Sequence, residues 1–455
     1  MAEKSPLRRK YARVPVQRAK RFGPDFWVYA FLGFALFWMT KPLVAFITGA
    51  DPDAPPTKFS QANYTVAFLQ SGIFLVTLLI LARNFRKLGP FLTKAWPFVL
   101  FFLYEAGTIL LSWDSKWSFY AFLQYTYGIS VILAIATCLP SIRITRVIII
   151  IIWFCCVLSL LFVVAIPKYG IMGHNPLAGE DSGGGQAWRG IYPHKNYLGH
   201  LAAVALVCLW AFGRKYMKPV WLWPIGLVAS LLCLVFAKCA GAYLVATLLL
   251  MMYYMVFRQR GMIRSLGLFV VIIVGAISAL LKQTLTASIL KALGKNENLT
   301  GRTEIWAYAS PYMHARPTIG LGYNFTAAPA FTSDFIAKFN NTNVHNAYID
   351  LLINLGIVGV VLFGLVVVLA LFAAWRQPMT GEADDLRCIC SMALLACLIC
   401  GMSEVLITQP LGPQSILLML SLFGLFRVSL DAAPAQAPSL RPKRRRSTAA
   451  VAAAP

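Results

Sequence analysis

Apolar stretches long enough to cross a lipid bilayer recur along this chain of 455 residues, of which 59% are hydrophobic and 13% are charged. A hydrocarbon core of roughly 30 Å takes about 20 residues of helix to cross. Inside it every backbone N–H and C=O group has to be paired within the protein, and only helices and closed barrels achieve this. The runs are solidly apolar and lack the alternation of barrel strands. The sequence therefore predicts an all-α polytopic membrane protein.

The hydropathy pattern predicts about 12 transmembrane helices within a membrane domain that covers residues 23–430. The predicted spans are 25–49, 63–82, 95–112, 119–139, 147–166, 196–213, 219–237, 241–257, 265–281, 346–374, 388–407 and 414–429. An even number of spans places both termini on the same side of the membrane.

The distribution of basic residues predicts the orientation of the chain. The net charge is +24, and Lys and Arg concentrate in both tails and in alternate short connections, for example at Arg83, Arg143 and Arg258. Because connections rich in Lys and Arg stay in the cytoplasm, both termini are predicted to be cytoplasmic. We expect the two basic cytoplasmic tails, residues 1–22 and the disordered residues 431–455, to lie near anionic membrane lipids and not on nucleic acid.

The ten cysteines of the chain do not indicate a disulfide framework. Seven of them lie inside predicted spans, where a thiol packs as a small apolar group: Cys138, Cys155, Cys156, Cys208, Cys233, Cys397 and Cys400. Cys388 and Cys390 form a CxC pair without neighbouring histidines, so no metal site is predicted there.

Two long polar connections, about 167–195 and about 282–345, are predicted to face the outer side of the membrane. Long connections in a compact protein are usually functional or disordered. The second contains "LTGRTEIWAYASPYM", which predicts a helix with Trp306, Ala309 and Tyr312 on one apolar face. We expect this helix to lie on the membrane surface.

The start of the span after the second connection brings a histidine to the outer headgroup level. Asn343 is predicted to cap this helix, which places His345 in its first turn. The positive end of the helix dipole disfavours imidazolium, so His345 is expected to be neutral. Five groups are then predicted at one depth on the outer face: Arg189, His194, Lys195, Arg302 and His345.

These residue types suit chemistry on a phosphate. The planar guanidinium of arginine donates two parallel hydrogen bonds to phosphate oxygens and keeps its charge. A neutral histidine beside it can take a proton from a hydroxyl group. The pattern therefore predicts a transferase that acts on a lipid-linked phosphate donor.

Three motifs resemble the O-antigen ligase and polysaccharide polymerase superfamily, most closely its exopolysaccharide-production branch. They read "WRGIYPHKNYLGH" (188–200), "LTGRTEIW" (299–306) and "VHNAYIDLLINLGIVG" (344–359). Their order and spacing fit the family across 188–360, whereas the first 150 residues match it in hydropathy alone. The resemblance implies a membrane-embedded glycosyltransferase of the C type in the bacterial inner membrane, with a large outer loop between spans 9 and 10.

The resemblance also implies the chemistry and the residues that perform it. The donor would be a saccharide on a polyprenyl diphosphate, the acceptor a second lipid-linked saccharide, and the transfer would invert the anomeric carbon without a metal or cofactor. By motif, Arg189 and Arg302 would bind the diphosphate and His345 would activate the acceptor hydroxyl. Five further residues are expected to bind the substrates or to orient groups that do: His194, Lys195, Asn196, Glu304 and Asn346.

One position departs from the family pattern. After the seventh span the chain reads "FAKCAGAY", with Cys239 where a hydroxyl residue is usual, which argues against a phosphate-binding role for Lys238. Among the aromatic residues, Trp188 and Trp306 are the candidates for stacking on sugar rings.

The candidate residues also have structural interpretations. Arg189 could extend to lipid headgroups from the end of a span, and His194 could be a hydrogen-bonded interfacial residue. His345 could be a polar neighbour of a helix cap. Glu404, an acidic residue inside a predicted span, indicates either function or a pairing with Lys238 or an arginine.

Three functions compete for this chain. A polymerase would extend lipid-linked repeat units, a ligase would transfer finished polymer to a lipid A core, and a transporter would move lipid-linked saccharide across the membrane. The motif sequences most closely resemble the exopolysaccharide-production branch, which favours the polymerase. Transporters hold their ionisable residues near the bilayer midplane, whereas these candidates cluster at the outer surface, which argues against transport. A protein that regulates chain length could dock on the cytoplasmic tails.

Overall fold

Helices form the regular structure of the chain. The computed structural model describes residues 26–53, 64–173, 186–259, 261–271, 273–275, 302–339, 342–376 and 380–431. Within these ranges the regular structure is helical, apart from an isolated antiparallel bridge between Ile171 and Trp188. The predicted all-α fold class is confirmed. Almost all of the two predicted tails lies outside the described residues.

Eighteen α-helices are described, of which the eighth and the tenth have only four and three residues. In chain order they are α1 (Phe26–Met39), α2 (Val44–Thr48), α3 (Tyr64–Arg83), α4 (Phe85–Lys94), α5 (Trp96–Leu110), α6 (Ser115–Cys138), α7 (Ser141–Ala165), α8 (Pro167–Gly170), α9 (Lys195–Cys208), α10 (Arg214–Tyr216), α11 (Leu222–Phe236), α12 (Ala240–Met252), α13 (Gly261–Gly275), α14 (Arg302–Ala315), α15 (Pro329–Phe339), α16 (Ala347–Trp375), α17 (Glu382–Cys400) and α18 (Pro413–Asp431).

Seven helical stretches of the described residues are long and apolar enough to cross a membrane, which confirms a polytopic membrane protein. They are α3, α6, α7, α9 with its continuation to Tyr216, α12 with its continuation to Phe257, α16 and α18. The other predicted spans coincide with the shorter apolar helices α1, α5, α11 and α13 and with α17. The number twelve stays a prediction, because these five helices are short or begin with acidic residues.

Three predicted spans differ clearly in extent from the helices, one of them being 147–166, since α7 begins at Ser141. The stretch 25–49 was predicted as one helix, but the chain breaks after α1, where Lys41 and Leu43 adopt a left-handed backbone. The break lets the Leu43 N–H donate to Ile191 O at 2.7 Å, which ties the first helix to the motif at 188–200. The predicted span 388–407 is shifted: α17 begins at Glu382 and ends at Cys400. Acidic residues in its first turn favour the earlier start, because they interact well with the positive end of the helix dipole.

The cysteines behave as the sequence predicts. All ten lie in the described ranges, nine of them are buried, and none forms a disulfide. They fill helix interfaces as small apolar side chains.

Connections between helices gather at two opposite ends of the bundle. At one end, here called the site end, Trp188 N donates to Phe236 O at 2.9 Å and Trp113 N donates to Leu321 O at 3.0 Å. At the other end, here called the basic end, Arg264 and Arg387 each lie about 4 Å from the ring centre of Trp375. The positive-inside rule predicts that the basic end is cytoplasmic and the site end outer.

Helix α16 is broken inside the membrane domain. Gly356 has φ 64° and ψ −169°, a backbone conformation that residues with a Cβ atom rarely adopt. The segment 317–322 packs against α16 at this break. Ile357 N donates to Pro317 O at 2.8 Å, and Leu321 N donates to Ile353 O at 2.9 Å. Irregular backbone at this depth is tolerated only where other parts of the protein pair its polar groups. The break therefore anchors the connection that follows α14.

The second long connection contains a small core of its own. Ala309 of α14 is fully buried, and Phe325, Phe331 and Phe335 pack in the same cluster. Tyr312 packs against it at the edge. The predicted apolar face of this helix is confirmed. Its position on the membrane surface stays a prediction.

Replacing Gly356 with alanine is expected to destabilise the protein. A Cβ atom there would lie 2.3 Å from Thr318 O, and this glycine-specific backbone conformation adds roughly 1–3 kcal/mol of strain. Gly364 is the matched control, because it lies in the same helix with open space around its Cα. Thermal unfolding of the detergent-purified protein should show a lower midpoint for Gly356→Ala and an equal or higher midpoint for Gly364→Ala. Equal midpoints for both variants would contradict the docking of 317–322 at the break.

Candidate active site

His345 lies just before α16 at the site end. Its backbone is left-handed (φ 50°), and its N–H donates to Asn343 Oδ1 at 2.9 Å. The cap of α16 is Asn346, whose side-chain oxygen accepts from Tyr348 N at 2.9 Å and from Ile349 N at 3.1 Å. The prediction that Asn343 is the cap and that His345 lies in the first turn is therefore wrong by one turn. Asn343 instead shapes the bend that presents the imidazole.

His345 is neutral at physiological pH, as predicted, although the main cause differs. Burial lowers its pKa to about 3, and the positive charge of Arg302 and the neighbouring His194 contribute to the same shift. The helix dipole would shift this pKa in the same direction. Desolvation by the surrounding chain is the larger effect, and it can be judged only in the folded protein.

His194 is the cap of α9. Its Nδ1 accepts a hydrogen bond from Asn196 N at 3.2 Å. Burial lowers the pKa of His194 to about 4, and Lys195, Arg189 and Arg302 lower it further. Since Nδ1 accepts in the cap, the neutral imidazole carries its proton on Nε2. That N–H is a hydrogen-bond donor that a substrate could use.

Arg302 connects the two histidines electrostatically. It is the first residue of α14, it is half-buried, and its charge lowers the pKa values of both His194 and His345. Lys195 directly follows His194 and acts on it in the same way. Arg302 of α14 thus lies near enough to both imidazoles to shift their pKa values, and Lys195 near enough to shift that of His194.

Trp306 holds α14 in place beside His345. Its indole Nε1 donates to Val344 O at 2.9 Å. Arg302 and Trp306 are four residues apart and so lie on the same face of the helix. The tryptophan therefore fixes the face from which Arg302 reaches the histidines. The predicted stacking of Trp306 on sugars stays untested, and its indole N–H is already engaged.

The start of α9 is tied to the connection between α17 and α18. Asn196 Nδ2 donates to Glu404 Oε1 at 2.5 Å, and Gln409 Nε2 donates to Tyr197 OH at 3.4 Å. Glu404 is only 5% exposed. A buried carboxylate needs hydrogen-bond donors to offset its desolvation, and Asn196 supplies one. Asn196 therefore orients the first turn of α9 beside Lys195.

Arg189 is placed differently from what its predicted role requires. Its side chain is 1% exposed, and it forms an ion pair with Asp53 at 2.9 Å. The remaining donors point to backbone oxygens: Nε to Tyr169 O at 3.1 Å, and Nη2 to Ile171 O at 2.6 Å and Lys168 O at 3.2 Å. A guanidinium with its donors engaged in this way has none to offer to a diphosphate. The predicted diphosphate contact of Arg189 disagrees with this geometry, which makes the residue a structural anchor of the 188–200 motif.

The other predicted residues divide between exposed and structural positions. Glu304 is exposed on the first turn of α14, and its proposed orienting role stays a prediction. Asn346 uses its side-chain oxygen as a helix cap. Trp188 stacks on Phe236, with ring centres 4.5 Å apart. His200 is buried one turn inside α9, where its Nδ1 lies 3.0 Å from Gln414 Nε2.

Sequence reasoning missed a buried carboxylate one turn into α16. Asp350 is 1% exposed, and it accepts hydrogen bonds from Thr326 at 2.5 Å and from Thr408. An acidic residue within an apolar span was the signal that could have identified it.

Comparisons with known proteins find two partial similarities. Residues 225–364 match the sequence model of a family described as O-antigen ligase. This range includes Arg302, His345 and Asp350 and begins after the motif at 188–200. The exopolysaccharide production protein ExoQ of Rhizobium meliloti (strain 1021) is 29% identical over 103 residues, which are 21% of this chain and 24% of the relative. The chain thus matches about a quarter of the length of that curated relative.

Arg189 and Arg302 are expected to respond differently to replacement by lysine. Arg189→Lys should lower stability by roughly 3 kcal/mol, because a single ammonium cannot replace the buried guanidinium contacts. Arg302→Lys should leave the midpoint of thermal unfolding near that of the wild type. Unfolding curves of the two purified variants check this, with Lys338→Arg on the exposed part of α15 as control. An Arg189→Lys protein of wild-type stability would contradict the structural role and favour the predicted contact of Arg189 with the diphosphate.

Stability is expected to rise with pH because of the two histidines. Their pKa values lie near 4 and 3 in the folded protein but near 6.5 in an unfolded chain, so the unfolded chain binds more protons between these values. This stability is fully present above pH 6.5 and is lost as the pH falls through the folded values. Thermal midpoints from pH 4 to 7 should show a slope that His194→Gln and His345→Gln reduce. The exposed His314 is the control, and a slope that neither variant changes would contradict the burial argument.

Proposed function

We propose that the chain belongs to the O-antigen ligase superfamily. It is a membrane glycosyltransferase that polymerises exopolysaccharide repeat units at the outer face of the inner membrane. The donor is a saccharide on a polyprenyl diphosphate, and the acceptor is a hydroxyl of another lipid-linked saccharide. The observation that supports this proposal is that the charge of Arg302 acts on both His345 and His194, and that Lys195 acts on His194.

His345 acts as the general base. Its neutral imidazole takes the proton from the acceptor hydroxyl, and the oxygen attacks the anomeric carbon of the donor. The bond between that carbon and the diphosphate breaks, and its electron pair leaves with the polyprenyl diphosphate. Because attack and departure occur on opposite faces, the anomeric configuration inverts.

Arg302, Lys195 and His194 stabilise the leaving group. The two cations spread the negative charge that develops on the diphosphate, and the His194 Nε2–H can donate to a phosphate oxygen. Removal of one such donor typically costs about 3 kcal/mol of barrier. Since fixed cations of the protein can hold the charge, the proposed reaction has no step that requires a metal.

Donor binding also prepares the base. The imidazole of His345 by itself is a weak base, because burial and a neighbouring cation lower its pKa. The negative diphosphate offsets that cation and raises the basicity of His345 toward the working pH. Proton transfer is thereby favoured when the donor is in place.

Arg189 contributes to this proposal as an anchor of the chain. It ties the motif at 188–200 to Asp53 and to the turn at α8, and so positions the cap of α9. Membrane lipids surround the protein in this proposal. A chain-length regulator remains a candidate partner for the tails.

Purified protein in detergent is expected to convert lipid-linked repeat units into polymer, observed as a ladder on a gel. His345→Ala should slow this conversion roughly 100- to 10,000-fold, because a general base contributes about that much. His314→Ala, on the exposed end of α14, should polymerise at the wild-type rate. Wild-type activity of His345→Ala would refute the base assignment. If no polymer forms from competent lipid-linked substrates, the proposed polymerase function is refuted.

Deletion of the gene distinguishes the polymerase from a ligase. Loss of high-molecular-weight exopolysaccharide supports the polymerase. A mutant that still makes this polymer but carries bare lipid A core would indicate the ligase. Polymer formed in detergent, where no compartments exist, also excludes pure transport.

A further inference from the structure

Four buried side chains form a closed ring of hydrogen bonds behind His345. Thr326 Oγ1 donates to Asp350 Oδ1 at 2.5 Å, and Thr408 Oγ1 donates to Asp350 Oδ2. Asn354 Nδ2 donates to Thr326 Oγ1 and to Thr408 Oγ1, each at 3.1 Å. All four residues are at most 4% exposed. The ring therefore lies in the protein interior, away from the substrate.

The direction of every hydrogen bond in the ring is determined. Thr326 N donates to Asn354 Oδ1 at 3.0 Å, which orients the amide so that its two N–H bonds face the two threonines. A hydroxyl has one proton, so a threonine that accepts from Asn354 must donate to Asp350. Both oxygens of Asp350 then act as acceptors. An amide in its place would keep the shape but lose one acceptor.

The ring joins three separate parts of the chain. Thr326 belongs to the connection after α14, Asp350 and Asn354 to the first turns of α16, and Thr408 to the connection between α17 and α18. Asn324 strengthens the junction, because its Nδ2 donates to Thr408 O at 3.1 Å. Fully satisfied polar networks of this kind hold their elements in one arrangement.

Both sides of the proposed active site depend on these parts. On one side, Asp350 N donates to the carbonyl of Asn346, the cap that follows His345, at 2.9 Å. On the other side, the connection that holds Thr408 also contains Glu404, which accepts from Asn196 beside His194. The same connection accepts Ala347 N at Gly401 O, at 2.7 Å. It thus links the base to the leaving-group side.

We propose that Asp350, through this ring, is a positioning residue that sets the place of the His345 imidazole relative to the cations around His194. The proposal rests on the function proposed for His345. Asp350 itself touches no substrate. A displacement of about 1 Å at a reacting group can cost roughly 100-fold in rate, so a loose ring affects catalysis more than binding.

Replacement of Asp350 by asparagine tests the ring at constant shape. Asp350→Asn is expected to lower kcat roughly 10- to 100-fold while KM for the lipid-linked donor changes less than about threefold. Thr408→Val removes one donor at similar volume and should lower kcat in the same direction. Thr408→Ser keeps the hydroxyl and serves as the matched control, with kcat near that of the wild type.

A second measurement needs no substrate. Diethyl pyrocarbonate reacts with neutral imidazole, and mass spectrometry of the peptide that contains His345 gives its reaction rate at each pH. Among the described residues, the charged or titratable groups that act on His345 are Arg302 from α14 and His194 before α9. In the wild type the reaction rate of His345 should stay constant as the pH falls well below 6.5, because the imidazole stays neutral. In Asp350→Asn and Thr408→Val the midpoint should move up toward 6.5 as the imidazole becomes more exposed.

The two measurements separate failure of the ring from failure of the proposed function. If the wild type makes no polymer but Asp350→Asn shifts the labelling midpoint, the polymerase is refuted and the positioning role stands. If Asp350→Asn keeps both the wild-type kcat and the wild-type labelling profile, the positioning role is overturned. Should Asp350→Asn fail to fold, the Thr408→Val and Thr408→Ser pair decides: identical profiles overturn the proposal, and a shift for valine alone supports it.

Discussion

Each polar group that enters the apolar interior of this protein must find a partner within the chain, and this requirement determines where the helices depart from regularity. Helix α16 breaks at Gly356, and the segment 317–322 supplies the missing hydrogen bonds. Asp350 is buried one turn into the same helix, where threonine hydroxyls surround it. The irregular connection after α14 is thereby held against the membrane domain at two places. These attachments bring Arg302 and Trp306 to His345.

The candidate site combines cations with neutral histidines. Burial and neighbouring cations keep both imidazoles uncharged, so the cations of the site have no negative partner among these residues. Such a site favours an anionic ligand, which would complete the charge balance and increase the basicity of His345. The electrostatics of the site therefore support the proposed diphosphate-bearing donor.

Residues that share a motif have different roles. Arg189 and His194 are five residues apart in the motif at 188–200, yet the guanidinium is enclosed by Asp53 and backbone carbonyls while the imidazole caps a helix at the site. Sequence reasoning assigned both to the substrate, because arginine near a lipid headgroup is a good phosphate ligand. It could not foresee Asp53 as a partner, since that residue lies more than a hundred positions earlier in the chain.

The sequence by itself determined the all-helical membrane fold, the approximate positions of the spans and the apolar face of α14. These features follow from local composition and from the cost of unpaired backbone in hydrocarbon, both of which can be judged within a short window. Only the tertiary structure decided that α1 and α16 are interrupted, that Asn346 caps α16, that Arg189 is an anchor and that Asp350 joins three parts of the chain. Each of these depends on a hydrogen-bond partner distant in sequence, and no local pattern specifies which partner a buried polar group will meet.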